Sequence, residues 1–305
     1  MVEKVSENIY LVDTLFSNRR GDTSVFLLRD ERTAILDSGV SVTAENIIRG
    51  IQEVGLSPEE VAYIALTHAH YDHAGGAHVL LRLLREMGND RVKVACAKQP
   101  SVYLSRADIL ERLIDFGRAS YGESAGVMEP IAEEEFLILK DGDVLDIGSF
   151  PIYAIDTPGH AKGHMSFYAP DIDFLFVGDA CGIMGQDKTG TPIIIPTSFP
   201  PEYSHDVYID TIQRIAAMGV SQIGFAHFGV LEDPVPALER AVETAGFFRR
   251  MTADMLAGKR SKEDLINELE SKFGEAMFSL SYDHGTLRTL LNALVQGNVV
   301  DLTRN

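Results

Sequence analysis

The sequence predicts an α+β fold in which two groups of strands are joined and followed by helices. Apolar runs of strand length recur in both halves of the chain, and several segments between them repeat apolar residues at helical spacing. Two of the strand-length runs, 33–36 and 174–177, are closely followed by an aspartate, Asp37 and Asp179 respectively. This repetition suggests two similar halves.

The first half alternates strands with helices. Its second predicted helix is well marked, because Val79, Leu80, Leu83, Leu84 and Met87 recur at helical spacing. The predicted strands cover residues 8–13, 23–29, 33–37, 61–66 and 91–96, and the predicted helices cover 43–54 and 74–88.

The second half is richer in strands. We predict strands at 136–139, 143–147, 151–156, 164–169, 173–178 and 221–226, with a helix at 204–218 before the last strand. Between the two halves, residues 99–135 form an insertion with a helical pattern at 101–119.

The end of the chain is predicted to be helical. The segment Ser261–Phe273 opens with a capping box between Ser261 and Asp264, and further helices are predicted at Ala237–Leu256 and Gly285–Gln296. We therefore predict a catalytic domain over residues 1–232 and a helical region over 233–305.

One short segment concentrates metal-binding side chains. His68, His70, Asp72 and His73 lie within six positions, directly after an apolar run. In an extended chain His68 and His70 project to the same side, while Asp72 and His73 lie where the chain turns into a helix and can face a second point. The alternative is a polar loop that is rich in histidine. Four ligand-type residues after a buried-type strand favour a metal site.

Three later segments place one His or Asp after a short hydrophobic strand. They end at His160 in a Pro-Gly-His sequence, at Asp179 in Gly-Asp, and at His227 in Ala-His. Taken singly, His160 and Asp179 are typical turn residues, and His227 is typical of a core histidine. In series with the first segment, we interpret all three as metal ligands.

The order H-x-H-x-D-H, P-G-H, G-D-A and a late histidine resembles the metallo-β-lactamase superfamily. Within it, the chain is similar to the dinuclear hydrolase branch that includes glyoxalase II and the acyl-homoserine-lactone lactonases, and its P-T-S-F-P-P loop and A-H-F-G motif look most like an uncharacterised bacterial and archaeal subgroup. The resemblance covers residues 5–232. It implies a four-layer αββα sandwich, here with a C-terminal helical extension.

The same resemblance implies two divalent metal ions, for which nitrogen and oxygen ligands suit zinc, with iron or manganese as alternatives. A hydroxide between the two metals would attack a small ester, thioester or lactone, and Asp72 would take its proton. The implied ligands are His68, His70 and His160 for the first metal and Asp72, His73 and His227 for the second, with Asp179 bridging them.

Two more residues are interpreted as supports of this site. His164 matches the G-H-x-x-G-H spacing of the family and is predicted to orient the loop rather than to bind metal. Asp37 follows an apolar strand and is interpreted as an acid that braces the metal loops, with an ordinary turn aspartate as the alternative.

The substrate pocket is harder to predict. The Pro-rich segment 191–201 is too rich in proline for a central strand and is predicted to expose Ile193–Ile195 and Phe199 as a pocket wall. We predict substrate contacts from Ile194, Phe199 and His284. The C-terminal helices could close over the metals, as in glyoxalase II, or form a structural cap or the arm of a homodimer.

Composition limits the choice of partners and compartment. A formal charge of −18 is a poor match for nucleic acid, so we predict a small-molecule substrate. No apolar stretch is long enough to span a bilayer, no signal-peptide pattern opens the chain, and Cys96 and Cys181 do not suggest a disulfide framework. These features predict a cytoplasmic protein that does not bind membranes.

Two other functions are open on the sequence. The persulfide dioxygenases share the fold but use a single iron held by two His and one Asp, so an oxidoreductase is one alternative. A regulator that keeps the fold and binds a metabolite without turning it over is the other. The full set of seven candidate ligands favours the two-metal hydrolase.

Overall fold

The computed structural model describes residues 1–304, apart from the side chains of residues 116 and 120. The first half of the chain forms a seven-stranded sheet whose spatial order follows the sequence. Strands β1 to β4 pair antiparallel, whereas β4 to β7 pair parallel. The strands are Val2–Lys4 (β1), Ile9–Asp13 (β2), Ser24–Arg29 (β3), Thr33–Leu36 (β4), Val61–Ala65 (β5), Lys93–Ala97 (β6) and Phe136–Leu139 (β7).

Parallel neighbours need crossover connections, and helices supply them here. The helices in this half are Ala44–Glu53 (α1), Tyr71–Ala74 (α2), Ala77–Glu86 (α3), Lys98–Leu104 (α4) and Ala107–Tyr121 (α5). In the first half, single 3₁₀ turns lie at Phe16–Asn18, Ser41–Thr43, Pro58–Glu60, Gly122–Ala125 and Glu133–Glu135. In the second half, one lies at Pro170–Ile172.

The second half forms a six-stranded sheet and a separate hairpin. Going along the chain, its strands are Val144–Asp146 (β8), Pro151–Asp156 (β9), Met165–Ala169 (β10), Phe174–Gly178 (β11), Ile183–Gln186 (β12), Pro192–Ile195 (β13), Gln222–Phe225 (β14) and Gly229–Glu232 (β15). The hairpin is the pair β12–β13, and the larger sheet has the order β15-β14-β11-β10-β9-β8. Its helices are His205–Met218 (α6), Val235–Leu256 (α7), Lys262–Phe278 (α8) and His284–Thr303 (α9).

The two large sheets pack face to face. Phe26 of β3 meets Phe174 and Phe176 of β11 with ring centroids 5.4 and 5.2 Å apart. Gly224 of β14 faces the same layer, and a Cβ atom there would lie 2.6 Å from the Phe174 ring. Since that distance is too short for a real contact, only glycine allows the sheets to approach so closely at this point.

Helices cover the outer faces of both sheets. Ile47 of α1 and Leu80 of α3 belong to the apolar cluster on the outside of the first sheet. On the second sheet, Ile212 of α6 and Leu238 of α7 pack in the cluster that contains Ile223 of β14. The order helix, sheet, sheet, helix confirms the predicted α+β four-layer sandwich.

Glycine explains one difference between prediction and structure. The helix predicted at 74–88 is interrupted at Gly75 and Gly76, which separate α2 from α3. A Cβ atom at Gly75 would overlap the backbone oxygen of Tyr71, and one at Gly76 would overlap that of Ser38. The chain is therefore packed against its own backbone where α2 ends.

Other differences involve short strands that form hairpins with strands next to them in the chain. Strands β1, β12, β13 and β15 were not predicted, and the helix predicted at 101–119 is divided into α4 and α5. The prediction that segment 191–201 exposes Ile193–Ile195 is wrong. This segment pairs as β13 with β12, Pro192 is the first residue of the strand, and Ile194 and Ile195 are buried.

The three C-terminal helices occur as predicted, including the capping box of α8 between Ser261 and Asp264. They pack on the β12–β13 hairpin, where Ile183 and Ile195 join Phe248, Leu269 and Leu291 in one buried cluster. No helix in the described part of the chain has both the length and the apolar character needed to cross a membrane.

Candidate metal centre

The histidine-rich segment follows strand β5, as the sequence predicts. His68 and His70 lie in the extended stretch between β5 and α2, whereas Asp72 and His73 lie in the first turn of α2. His160 follows β9, Asp179 directly follows β11 and His227 follows β14. The sandwich thus brings loops from both sheets to one end of the molecule.

All seven predicted ligands come together there. They form two neighbouring groups, in each of which the possible ligand atoms lie within 4.8 Å of one another. The first group contains His68, His70, His160 and Asp179, and the second contains Asp72, His73 and His227.

In the first group, three ring nitrogens converge. Nε2 of His160 lies 3.2 Å from Nε2 of His68 and 3.0 Å from Nδ1 of His70. The Oδ2 atom of Asp179 lies 3.3 Å from the same His160 nitrogen. This N/O donor set suits a divalent cation.

Asp179 also reaches the second group. Its Oδ1 atom lies 3.4 Å from Nε2 of His73 and 3.6 Å from Nε2 of His227. The Oδ2 atom of Asp72 lies 3.5 Å from that His227 nitrogen. Asp179 therefore offers one carboxylate oxygen to each group.

Unpartnered polar atoms show that the centre fits cations. Nε2 of His73 and Oδ1 of Asp179 are buried and make no hydrogen bond. Leaving buried polar atoms without partners is costly, and a bound cation would satisfy both atoms at once. The residues present thus suit the metal ions that the resemblance implies.

Hydrogen bonds on the far side of each ring orient the imidazoles. Nδ1 of His73 donates to Asp37 at 2.8 Å, Nδ1 of His160 to the Thr197 carbonyl at 2.7 Å, and Nδ1 of His227 to the Asp22 carbonyl at 3.3 Å. Each of these rings therefore turns Nε2 toward the cluster, where it can bind a metal ion in place of a proton.

A hydrogen bond to Thr67 orients the ring of His68 in the same way. Thr67 Oγ1 lies 3.0 Å from both carboxylate oxygens of Asp37 and donates its single hydrogen there. It therefore accepts from Nδ1 of His68, which lies 3.0 Å away, so that Nε2 of His68 is also free to bind metal.

Charges divide the centre into two parts. Burial lowers the pKa of His68, His70 and His160 below the usual value, so these three imidazoles favour the neutral form. Burial also opposes charge on His73, but the carboxylates around it, Asp179 first, raise the pKa of His73 to about 10. The second group therefore favours positive charge, whether a proton or a metal cation supplies it.

The two predicted supports contact the cluster without joining it. Asp37 accepts from the Thr67 amide at 2.8 Å in addition to its bond with His73, so it ties the loop after β4 to the histidine loop. His164 accepts from the backbone amide of Asp179 at 3.2 Å through Nε2, while its Nδ1 lies 2.8 Å from Thr157 Oγ1. Both side chains are buried and hold other cluster residues in place.

A cavity of about 530 Å³ opens on the cluster. His70, Asp72, Asp179 and His227 form part of its wall, helix α5 supplies another part, and the C-terminal helical region (residues 233–305) supplies a third. The β12–β13 hairpin and the loop after it contribute Ile183, Phe199, Pro200 and Pro201, and the helical region contributes Tyr282, Thr286, Thr289, Leu290 and Ala293. The helical region therefore lines the cavity, which was one of the alternatives left open by the sequence.

Of the three predicted substrate contacts, only Phe199 lines this cavity. Ile194 is 3% exposed and packs inside the molecule, because β13 turns it away from the cavity. The side chain of His284 is 79% exposed and pairs with Glu270 of α8. Ile194 and His284 therefore do not line this cavity.

Sequence reasoning missed three tyrosines of the cavity wall, Tyr71, Tyr121 and Tyr282. Tyr282 donates to Oδ1 of Asp22 at 2.9 Å. Burial raises the pKa of Asp22 to about 6. Tyr282 lies two residues before His284. The prediction of His284 therefore identified a segment that reaches the cavity, but not the side chain that lines it.

Comparison with known proteins agrees with this geometry. The family model described as the metallo-beta-lactamase superfamily matches residues 18–86 and 97–227. A metallo-beta-lactamase fold-containing protein of Sulfurisphaera tokodaii is 27% identical over 217 residues, which cover 70% of this chain and 75% of that protein. An acyl-coenzyme A thioesterase of Homo sapiens is 26% identical over 191 residues, 58% of this chain and 64% of that protein.

A similar solved structure extends the match to almost the whole chain. A metallo-beta-lactamase family protein from Thermus thermophilus superposes with a TM-score of 0.65 at 18% identity, covering 98% of this chain and 94% of that one. At this identity, the likeness concerns the fold alone. The family model matches more than half of the chain and includes the whole histidine cluster, so the chain belongs to the metallo-beta-lactamase superfamily.

Proposed function

We propose that the protein is a hydrolase with two divalent metal ions, most simply zinc, that cleaves a small ester, thioester or lactone. The observation that carries this proposal is the pair of adjoining ligand groups joined by Asp179, with four of their residues exposed to a cavity of small-molecule size. When bound, the metal ions would supply a hydroxide nucleophile near neutral pH and polarise the carbonyl of the substrate.

The residues of the chain would then perform three tasks. The first is orientation, which Asp37, Thr67 and the backbone carbonyls of Thr197 and Asp22 provide by fixing the imidazole rings. The second is exclusion of water, which the apolar part of the cavity wall provides.

The third task is proton transfer, which we assign to Asp72. Burial opposes its ionisation, but His73 and His227 hold the pKa of Asp72 well below its usual range. Asp72 is therefore a carboxylate at physiological pH. Since it also lines the cavity, it can accept the proton of the nucleophile and pass it to the leaving group.

Among the three substrate classes, a thioester has the best support. The human relative is an acyl-coenzyme A thioesterase. The lactonases, in contrast, typically place a tyrosine shortly after the bridging aspartate, and here Asp179 is followed by Ala180, Cys181 and Gly182. Cys181 is itself buried, and burial raises the pKa of its thiol, so it is not a nucleophile.

The test is a panel of esters, thioesters and lactones offered to zinc-loaded protein, with the metal content measured by elemental analysis. We expect two metal ions per chain and hydrolysis of at least one class. Asp179→Asn replaces one of the two carboxylate oxygens that Asp179 offers to the groups and removes its charge, so it should lower the metal content and reduce kcat/KM at least 100-fold (~3 kcal/mol). Asp171→Asn changes an exposed aspartate outside the cluster and should leave both quantities unchanged.

Two results would contradict the proposal. One iron per chain, together with oxygen uptake on a persulfide, would indicate an oxidoreductase. Full metal loading without turnover of any substrate in the panel would indicate a metabolite-binding regulator.

A further inference from the structure

The cavity over the metal centre has one polar end and one apolar end. Tyr282 and Thr286 line the polar end. Behind them, Oδ1 of Asp22 accepts a hydrogen bond from the Tyr282 hydroxyl at 2.9 Å, and the Asp22 carbonyl accepts one from Nδ1 of His227 at 3.3 Å. Arg19 donates to the Thr286 hydroxyl at 3.2 Å. Polar groups thus lie over the His227 side of the cluster.

At the other end, the aromatic ring of Phe199 lies edge-on to His160, with centroids 6.2 Å apart. Pro200 and Pro201 continue this wall. The apolar end therefore lies over the His160 side of the cluster, on the side of Asp179 opposite to Tyr282.

Helix α9 runs between the two ends. Thr286, Thr289, Leu290 and Ala293 all line the cavity and recur at intervals of three and four residues, so a single face of the helix is involved. From Thr286 to Ala293 this face changes from threonine to apolar residues over about 10 Å, since a helix rises about 1.5 Å per residue. This face of α9 is therefore polar near Tyr282 and apolar further along the helix.

The apolar end is held by close packing. Gly297 of α9 lies against Ser198, where a Cβ atom would overlap the carbonyl oxygen. Ser198 also donates to the carbonyl of Leu294 at 3.0 Å. These contacts fix the distance between α9 and the segment that carries Phe199. The apolar end of the cavity is therefore formed by the fold itself.

From this asymmetry we infer that the substrate is an acyl thioester or ester whose unbranched apolar acyl chain lies between Phe199, Leu290 and Ala293, with its polar leaving group near Tyr282 and Thr286. An alkyl chain carries no hydrogen-bonding group, so it is favoured against apolar side chains such as Leu290 and Ala293. The leaving group, a thiol from a thioester or an alcohol from an ester, commonly carries polar groups in biological substrates. Such groups suit the polar end near Tyr282. This inference rests on the proposed hydrolase function and specifies its substrate.

The experiment uses N-acetylcysteamine thioesters with acetyl, butanoyl, hexanoyl, octanoyl and decanoyl chains and zinc-loaded protein. Each buried methylene group should raise kcat/KM about 4-fold until the cavity is filled. Ala293→Phe fills the apolar end and should remove this rise, so that kcat/KM for the long chains no longer exceeds that for the acetyl thioester. Gln296→Phe adds the same side chain at an exposed position of α9 and should leave the profile unchanged.

Leu290→Ala provides a second variant in case Ala293→Phe does not fold, and it should flatten the dependence on chain length. Binding of butanoate and octanoate, measured by calorimetry, separates the inference from the function. If no thioester or ester is cleaved but octanoate binds more tightly than butanoate and Ala293→Phe abolishes the difference, the acyl site is supported and acyl hydrolysis fails. If thioesters are cleaved with no dependence on chain length, the acyl site is wrong and the hydrolase stands. If neither is observed, the acyl site is wrong.

Discussion

At the scale of single residues, Asp37 links two parts of the metal centre. Its backbone adopts a left-handed conformation with φ of 63°, and its carboxylate accepts bonds from the Thr67 amide, the Thr67 hydroxyl and His73. Residues that hold a metal-binding histidine in place affect metal affinity although they do not touch the metal. Asp37 acts in this way through both His73 and, by way of Thr67, His68.

We expect Asp37→Ala to weaken zinc binding about 10–100-fold, because His73 loses the partner that fixes its tautomer. The buried donors left without an acceptor should also lower the free energy of unfolding by about 1–3 kcal/mol. Competition with a chromogenic chelator measures the first effect, and urea unfolding measures the second.

The matched control for this variant is Asp173→Ala. Asp173 has the same left-handed backbone, with φ of 48°, but is exposed and lies at the opposite end of β11 from Asp179. It should keep the zinc affinity of the unaltered protein. Equal losses in the two variants would mean that backbone conformation, rather than the bond to His73, explains the effect.

At the scale of elements, the ends of strands bring the ligands together and the glycines set how closely helices approach. Gly297 lies inside α9, where glycine normally costs stability relative to alanine. It is nevertheless required here, because α9 passes so close to Ser198 that a methyl group would overlap the backbone. Gly117 similarly allows α5 to approach the ring of Tyr71, where a Cβ atom would lie 2.7 Å from a ring carbon.

We expect Gly297→Ala to lower the free energy of unfolding by about 1–3 kcal/mol, as is typical of overpacking. Gly246→Ala in α7 is the matched control, because its new methyl group would meet only the flexible end of Arg250, at 3.2 Å. There the helix propensity of alanine should raise the free energy of unfolding by about 0.5–1 kcal/mol. Urea unfolding of both variants should show changes in the free energy of unfolding that are opposite in sign. A stabilised Gly297→Ala variant would contradict the close contact.

At the scale of the whole molecule, the metal centre joins the two sheets. His68, His70, Asp72 and His73 follow β5 of the first sheet, whereas His160, Asp179 and His227 follow strands of the second. A cation bound to residues from both sheets exists only when the sheets are packed together. Metal binding should therefore be coupled to folding.

We expect zinc at 1,000 times its dissociation constant to stabilise the protein by about 4 kcal/mol for each independent site. The melting temperature, followed by circular dichroism, should rise on addition of zinc and fall again with a chelator. Asp179→Asn should reduce this rise. An unchanged melting temperature in the presence of bound zinc would show that the ligands remain together in the unfolded chain.

The charge of the whole chain bears on its partners. The formal charge of −18 favours a small-molecule substrate over nucleic acid, and this stays a prediction, as do the cytoplasmic location and the homodimer. The C-terminal helices have a defined position in the monomer, where one face of α9 lines the cavity.

The strongly periodic strands and helices, the family and the seven residues of the cluster could all be predicted from the residue pattern. This was possible because the ligand types are rare, and because their spacing at strand ends is a local property of the chain. His68, His70, Asp72 and His73 are recognisable within six positions, and the later ligands follow strands that their apolar runs predict.

The shape and polarity of the cavity, in contrast, depend on tertiary packing. Ile194 is buried in the strand that pairs with β12, and Tyr282 rather than His284 lines the cavity, since His284 is exposed and pairs with Glu270 of α8. The partners of Tyr282 and Gly297 lie 260 and 99 positions away, at Asp22 and Ser198. Contacts between such distant parts of the chain depend on how whole elements pack, which local residue patterns do not specify.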